Sequence, residues 1–497
     1  MAKKAVIVFA VVVLAVIGAT IGYFVTKKST DSSTSTAGNN GTSSSNSNAS
    51  GGSSKTSGTT GGSSTISFTN SSGSGDVGTV STITSDPTAQ KYELSAFAIG
   101  DWGATTYSKN GSCCSRRSDY SFNAFDRHAE LGVAKLMGLT AAVQKPKVIM
   151  GHGDNFYWEG ILDDTDQAYR FEATFEDKYT DKALIDVPWV NVMGNHDYGG
   201  GSYVCSDGSI GVECKSTEEL LTAINTKFKL QAGYKSPNND RWMLTDHFYV
   251  HTIKDGDVSV DIFNLDTNDA DTHAADQICC QCYGYSEGDK EKKCKQATRG
   301  HKHCCGGDTS MYDQCMKQFK EWGDEAKAKL VEGVKKSTAT WKIVNSHYSP
   351  YNHYGEAGAS EWIQTLQSID GIQLWINGHT HGEKHDFGAF NMHFIENGAG
   401  GGIQSEAASG IPKYASSYIK NLWTAGGLTD GTLDGNTYGF FEVAASKEWL
   451  KVRFLTFDSN WKITKDDNGL EKGTIGGVAA KHCWYIPVDG TLGKECS

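Results

Sequence analysis

The strongest hydrophobic signal lies at the start of the chain. Residues 5–25 form an uninterrupted run of apolar and small side chains, bracketed by Lys3 and Lys4 on one side and Lys27 and Lys28 on the other. About 20 such residues can cross a bilayer, and the run exceeds the roughly 7–15 residues of a cleaved secretory signal. Residues 5–25 are therefore expected to be a retained signal anchor, a transmembrane helix preceded by a short cytosolic tail at 1–4. Residues 26–86 are dominated by Ser, Thr, Gly and Asn. With so little to bury, ordering them would cost more entropy than contacts return, and the stretch reads as a disordered tether.

After Pro87 the pattern becomes one of short apolar runs that end in small, polar, glycine-bearing turns. Residues 94–99, 148–150, 189–193, 258–265, 341–344 and 372–376 predict buried strands. Phe122, Phe125, Ala129, Val133, Leu136 and Val143 keep a helical spacing, and residues 316–334 predict a second long helix. Alternation at 438–444 and 450–457 predicts a closing antiparallel hairpin. The expected fold is α/β, a layered β-sheet sandwich flanked by helices, occupying residues 87–497 with no internal repeat.

Composition adds the compartment. The formal charge is -12, and the first 86 residues carry five Lys against three Asp, so the folded part is more acidic still and unsuited to general nucleic-acid binding. The 13 Cys favour an oxidising environment, which places the domain on the extracellular or lumenal side of a single-pass anchor, or secreted if the anchor is cleaved. An odd count leaves at least one thiol without an intramolecular partner. Sequons at Asn40, Asn48, Asn70 and Asn110 would accept N-glycans in that compartment, although a Ser/Asn-rich stretch also yields such triplets by chance.

The chemistry sits where the strands end. Five strand ends carry metal-ligand residue types: Gly100-Asp101-Trp102-Gly103, Gly153-Asp154-Asn155-Phe156-Tyr157, Gly194-Asn195-His196-Asp197, His347-Tyr348 and Gly378-His379-Thr380-His381. Strand termini are where a rigid sheet aims ligands, and the adjacent glycines let the backbone turn sharply. Carboxylate, phenolate, amide and imidazole groups are all metal donors: several anionic ones on one metal suit a hard trivalent ion such as Fe3+, and neutral ones suit a divalent ion such as Zn2+, Fe2+ or Mn2+. Two metals about 3.5–4 Å apart clamp a phosphate and acidify a bound water.

The order GDxG, GDxxY, GNH(D), HY, GHxH resembles the purple acid phosphatases of the tartrate-resistant type, within the calcineurin-like metallophosphoesterases, over about residues 94–460. That resemblance implies a first metal on Asp101, Tyr157 and His381, a bridging Asp154, and a second metal on Asn195, His347 and His379. It implies His196 as the group that contacts phosphate and protonates the leaving oxygen, Asn195 and His196 at the substrate, and His353 as a further substrate-side histidine. The implied reaction is acid-phase hydrolysis of small phosphate monoesters by a metal-activated hydroxide. A phosphodiesterase acting on nucleotides or lipid head groups, and a surface interaction protein on a phosphatase scaffold, are the competing readings. Related enzymes often carry GDxHG; Trp102-Gly103 supplies no such histidine, and Tyr157 fills that vacancy. His152 and His385 flank the motifs without an expected catalytic role.

The chain departs from the pattern at residues 270–315, an insert holding Cys279, Cys280, Cys282, Cys294, Cys304, Cys305 and Cys315 with His301 and His303. In an oxidising compartment disulfides are favoured over zinc there, with adjacent cysteines bridging to different places. Cys113 with Cys114 lies in an apparent added loop. Cys205 with Cys214 and Cys483 with Cys496 are candidate local pairs.

Overall fold

The short apolar runs become strands because both of their faces are covered. The computed structural model describes residues 81–104, 124–200, 203–208, 211–271, 273–281, 297–403, 405–425, 438–466 and 471–496. The expected tail, the anchor at 5–25, the tether up to residue 80, the four sequons, Cys113, Cys114, Cys282 and Cys294 lie outside the described residues. Among the described residues no helix is long and apolar enough to cross a membrane.

Two large sheets pack face to face. The first runs Lys494–Glu495, Val478–Pro487, Trp449–Phe457, Gly439–Ala445, Leu94–Ile99, Val148–Gly151, Trp189–Asn191, Trp242–Met243 from edge to edge. The second runs Ile419–Thr424, Glu383–Gly388, Met392–Asn397, Leu374–Asn377, Trp341–Ser346, Val258–Leu265, Phe248–Asp255. Ala96, Ala98, Val148 and Met150 from one sheet meet Ile262, Ile343, Leu374 and Ile376 from the other in a shared core. The helix Ala124–Gln144 covers the outer face of the first sheet through Ala129, Val133, Leu136 and Met137. Helices Thr309–Lys336 and Glu356–Gln367 cover the second sheet with Ala326, Leu330, Val334, Trp362 and Leu366. The result is four layers, helix on sheet on sheet on helix, as expected from the apolar runs.

Five strands deliver the site: β1 (Leu94–Ile99), β2 (Val148–Gly151), β3 (Trp189–Asn191), β4 (Trp341–Ser346) and β5 (Leu374–Asn377). The first three are mutually parallel in one sheet, and β4 and β5 are parallel in the other. Parallel pairing brings the carboxyl ends of neighbouring strands to one edge, where α/β sheets place ligands. Hairpin strands Gly439–Ala445 and Trp449–Phe457 pair antiparallel as expected.

Two boundaries differ from expectation. Residues 81–85 are fixed to the domain, because Asp489 accepts hydrogen bonds from the Ser81 hydroxyl (2.9 Å) and the Thr82 amide (3.0 Å) and Trp449 Nε1 donates to the Ser85 hydroxyl (2.8 Å). The helix expected at 316–334 begins earlier, at Thr309, where Asp308 caps the Ser310 and Met311 amides. Disulfides join Cys205 to Cys214, Cys279 to Cys315, Cys280 to Cys304 and Cys483 to Cys496. The adjacent Cys279 and Cys280 thus bridge to different places, and Cys305 keeps its thiol.

A chain of buried histidines links the sheets. His393 Nε2 donates to the Thr491 carbonyl (3.0 Å), so His393 Nδ1 accepts from His385 Nε2 (2.9 Å), whose Nδ1 accepts from His482 Nε2 (2.8 Å). His385 and His393 must be neutral for this single-direction chain, since each accepts through one ring nitrogen. Burial pushes His393 and His482 down to about 4, and His385 well below its ordinary value. The unfolded chain takes up these protons near pH 6.5, so stability is full above that pH and falls as pH drops towards 4, by up to roughly 3 kcal/mol per histidine. The unfolding midpoint measured from pH 7 to pH 4 should fall, and His482→Gln, whose amide can still donate to His385, should flatten that fall.

Candidate metal centre

The backbone is bent unusually at three donor positions. Asp101, Asp154 and His379 adopt positive φ values of 52°, 51° and 74°, a region that side chains other than glycine seldom occupy. Such bends persist where the surroundings over-determine them and cluster at functional sites. The neighbouring glycines are sterically required: a Cβ on Gly194 would lie 2.2 Å from Asp154 Oδ1, and one on Gly378 would lie 2.4 Å from Asp101 Oδ2.

Two groups of donors result. In the first, the Tyr157 hydroxyl stands 3.1 Å from Asp101 Oδ1 and 3.4 Å from His381 Nε2, and the latter two are 3.7 Å apart. In the second, Asn195 Oδ1 lies 3.1 Å from His347 Nε2 and 3.2 Å from His379 Nδ1. Asp154 lies between the groups, with Oδ1 3.6 Å from His347 Nε2 and accepting the His196 amide at 2.9 Å. Asp101, Asp154 and His347 each place one ligand atom within 4.8 Å of the others. All seven donors expected from the sequence are brought together.

The donor chemistry fits cations. His347 Nδ1 donates to the His152 carbonyl (2.7 Å), so its Nε2 presents a lone pair to two oxygens, Asn195 Oδ1 and Asp154 Oδ1. Three electron-rich atoms facing one another are repulsive until a positive ion sits among them. Burial and the nearby Asp154 charge push Asp101 well above the carboxylate range, and burial with the same two charges raises the Tyr157 phenol. Burial opposes ionisation of Asp154 too, but His347 and His196, where they carry a proton, outweigh it and hold this carboxyl below its ordinary value. Ionising both carboxylates and the phenol together in this buried space would therefore require compensating positive charge.

His196 turns Nδ1 to the Trp158 carbonyl (3.1 Å), and its ring lies 4.8 Å from that of Tyr157. His353, expected on the substrate side, has its ring centroid 4.9 Å from that of His379. It is 4% exposed, its Nδ1 accepts from the Ser349 amide (2.8 Å), and its Nε2 bonds the Thr380 hydroxyl (3.1 Å) behind His379. Both ring nitrogens are engaged by protein, which gives His353 a supporting position.

Supporting groups were less visible in the sequence. The Asp197 carboxylate accepts from the Gly194, Asn155 and Phe156 amides at 2.8–3.0 Å and so joins the turns after β2 and β3. Asn345 donates to the Gly151 and Val190 carbonyls (both 3.2 Å) and bonds His152 Nδ1 (2.5 Å), tying β4 to the other sheet. Glu406 stands 3.2 Å from His381 Nδ1. Asp197 follows a recognisable motif, whereas nothing in the sequence marks Asn345 or Glu406, which act from remote segments.

The chain is similar to known proteins to differing extents. The chain is 30% identical over 172 residues to human tartrate-resistant acid phosphatase type 5, covering 34% of this chain and 39% of the human one. It is 34% identical over 111 residues to the rat enzyme of that name, covering 22% of this chain and 29% of the relative. The match therefore spans less than half the length of these relatives. Purple acid phosphatase 17 of Arabidopsis thaliana is 24% identical over 319 residues, 63% of this chain and 70% of that one. Among solved structures, GAP50, the anchor in the inner membrane complex of Plasmodium, is 15% identical with a TM-score of 0.45, over 78% of this chain and 90% of that one. The family model for calcineurin-like phosphoesterases matches residues 96–383, a stretch that takes in all seven donors and more than half the sequence, and the chain belongs to that family.

Proposed function

We propose that the domain hydrolyses phosphate monoesters at a binuclear centre of the purple acid phosphatase type. The observation that carries this is the Tyr157 hydroxyl, 3.1 Å from Asp101 Oδ1 and 3.4 Å from His381 Nε2. Asp101, Tyr157 and His381 would hold one metal, Asn195, His347 and His379 the other, and Asp154 both. Three anionic ligands favour Fe3+ at the first site, and the neutral set favours Zn2+, Fe2+ or Mn2+ at the second. Bound there, the pair supplies Lewis acidity and an acidified water.

The remaining work falls to the chain. His347 is locked by the His152 carbonyl, and His381 by Glu406, so each ring presents Nε2 inward. With Nδ1 turned to the Trp158 carbonyl, His196 uses Nε2 to hand a proton to the leaving oxygen, which favours acidic pH. The four disulfides among the described residues support an extracellular or lumenal setting for this domain.

Tyr157→Phe tests the branch, because it keeps the ring's packing and deletes the oxygen. The iron-loaded domain should be violet to pink from phenolate-to-iron charge transfer, and the variant should lose that band. Identical visible spectra would move the protein to phosphoesterases that lack a tyrosine ligand.

A further inference from the structure

Tyr157 and the Trp158 carbonyl lie in a turn outside regular secondary structure, yet the proposed chemistry depends on the placement of both. The turn's four consecutive carbonyls all face side-chain donors. Arg170 Nη2 donates to Tyr157 O (2.5 Å) and Nη1 to Gly160 O (3.2 Å); His196 Nδ1 meets Trp158 O (3.1 Å); Lys227 Nζ donates to Glu159 O. On the opposite side the Asp197 carboxylate takes the Asn155 and Phe156 amides. Gly160, at φ 66°, lets the turn pack so closely that a Cβ there would lie 1.9 Å from the Asp197 carbonyl.

Arg170 ends the helix Asp164–Arg170 and is 5% exposed; Lys227 is on the helix Thr217–Ala232 and is 2% exposed. Desolvating a cation costs several kcal/mol, and burial pushes Lys227 down to about 8. Neither residue type was marked by any motif, and filling the same space with an apolar side chain would avoid the cost. What the cations supply is direction: charge-assisted donors aimed at oxygens of one turn.

We propose that Arg170 and Lys227 are positioning residues that hold the 157–160 turn, keeping the Tyr157 oxygen in the first donor group and the Trp158 carbonyl against His196 Nδ1. This rests on the metal-centre reading above. Loosening either grip displaces the phenol and releases the histidine ring to its other tautomer. A misplacement of about 1 Å can cost up to about 100-fold in rate.

The test compares Lys227→Met and Arg170→Met with the conservative Lys227→Arg and Arg170→Lys in the whole domain. In metal-free protein, imidazole 15N shifts should show His196 with Nδ1 protonated in wild type and as a tautomer mixture in Lys227→Met. In iron-loaded protein the same variant should keep both metals, shift the phenolate charge-transfer band and lose on the order of 10-fold in kcat with little change in KM, and Lys227→Arg should restore all three. Normal 15N shifts, band and kcat in a Lys227→Met protein that is merely less stable would overturn the proposal. If Arg170→Met does not fold, the Lys227 pair decides. A wild type without metals or phosphatase activity would sink the metal-centre reading instead, while the metal-free 15N comparison still decides the grip.

Discussion

Asp154→Ala is expected to release both metals and to reduce phosphatase activity by about 10⁴-fold or more, since the metals supply several kcal/mol of barrier lowering and each 1.4 kcal/mol is a decade. Asp154 lies between the donor groups, 3.6 Å from His347 Nε2, and its Oδ1 also accepts the His196 amide. One substitution therefore removes the carboxylate proposed to bridge the metals and the acceptor of the His196 amide in the turn after β3. Metal content by mass spectrometry and hydrolysis of an aryl phosphate check this, with circular dichroism as the fold control. Two metals retained with near-normal rate would show that Asp154 does not bridge.

His196→Ala should behave differently. Its ring lies beside those of Tyr157 and Trp158 and is not one of the seven proposed ligands, so both metals should stay while kcat falls by about 10²- to 10⁴-fold, the usual range for general acid catalysis. The loss should depend on the leaving group. An aryl phosphate whose phenol is strongly acidic needs little protonation and should lose least; an alkyl phosphate should lose most. Equal losses for both substrates would remove the proton-donor role from His196.

The division between what the sequence revealed and what it hid has a physical basis. Strands β1 to β5 were legible because burial on both faces forces continuous apolar runs, and their donors were legible because acidic, amide and histidine residues at five strand ends, four of them flanked by glycine, are uncommon. The supports act over long separations. Asn345 reaches from one sheet to carbonyls of the other, Glu406 reaches His381 from a loop beyond the family match, and Lys227 reaches the 157–160 turn from a helix 68 residues away. No local period records such contacts. His353 shows the same limit: nothing local announces that its ring nitrogens bond the Ser349 amide and the Thr380 hydroxyl. The docking of residues 81–85 was equally hidden, because a Ser/Thr-rich stretch reads as tether until its partner, Asp489, is folded beside it.

The central claim is that seven side chains from five strand ends form one binuclear metal site. Its most direct test is the metal content of residues 81–497 expressed by an oxidising route and loaded with iron and zinc, measured together with the visible spectrum. Two metals per folded chain, with a charge-transfer band that vanishes in Tyr157→Phe, is the predicted result. A folded chain that binds no metal above the level of Asp154→Ala would contradict it.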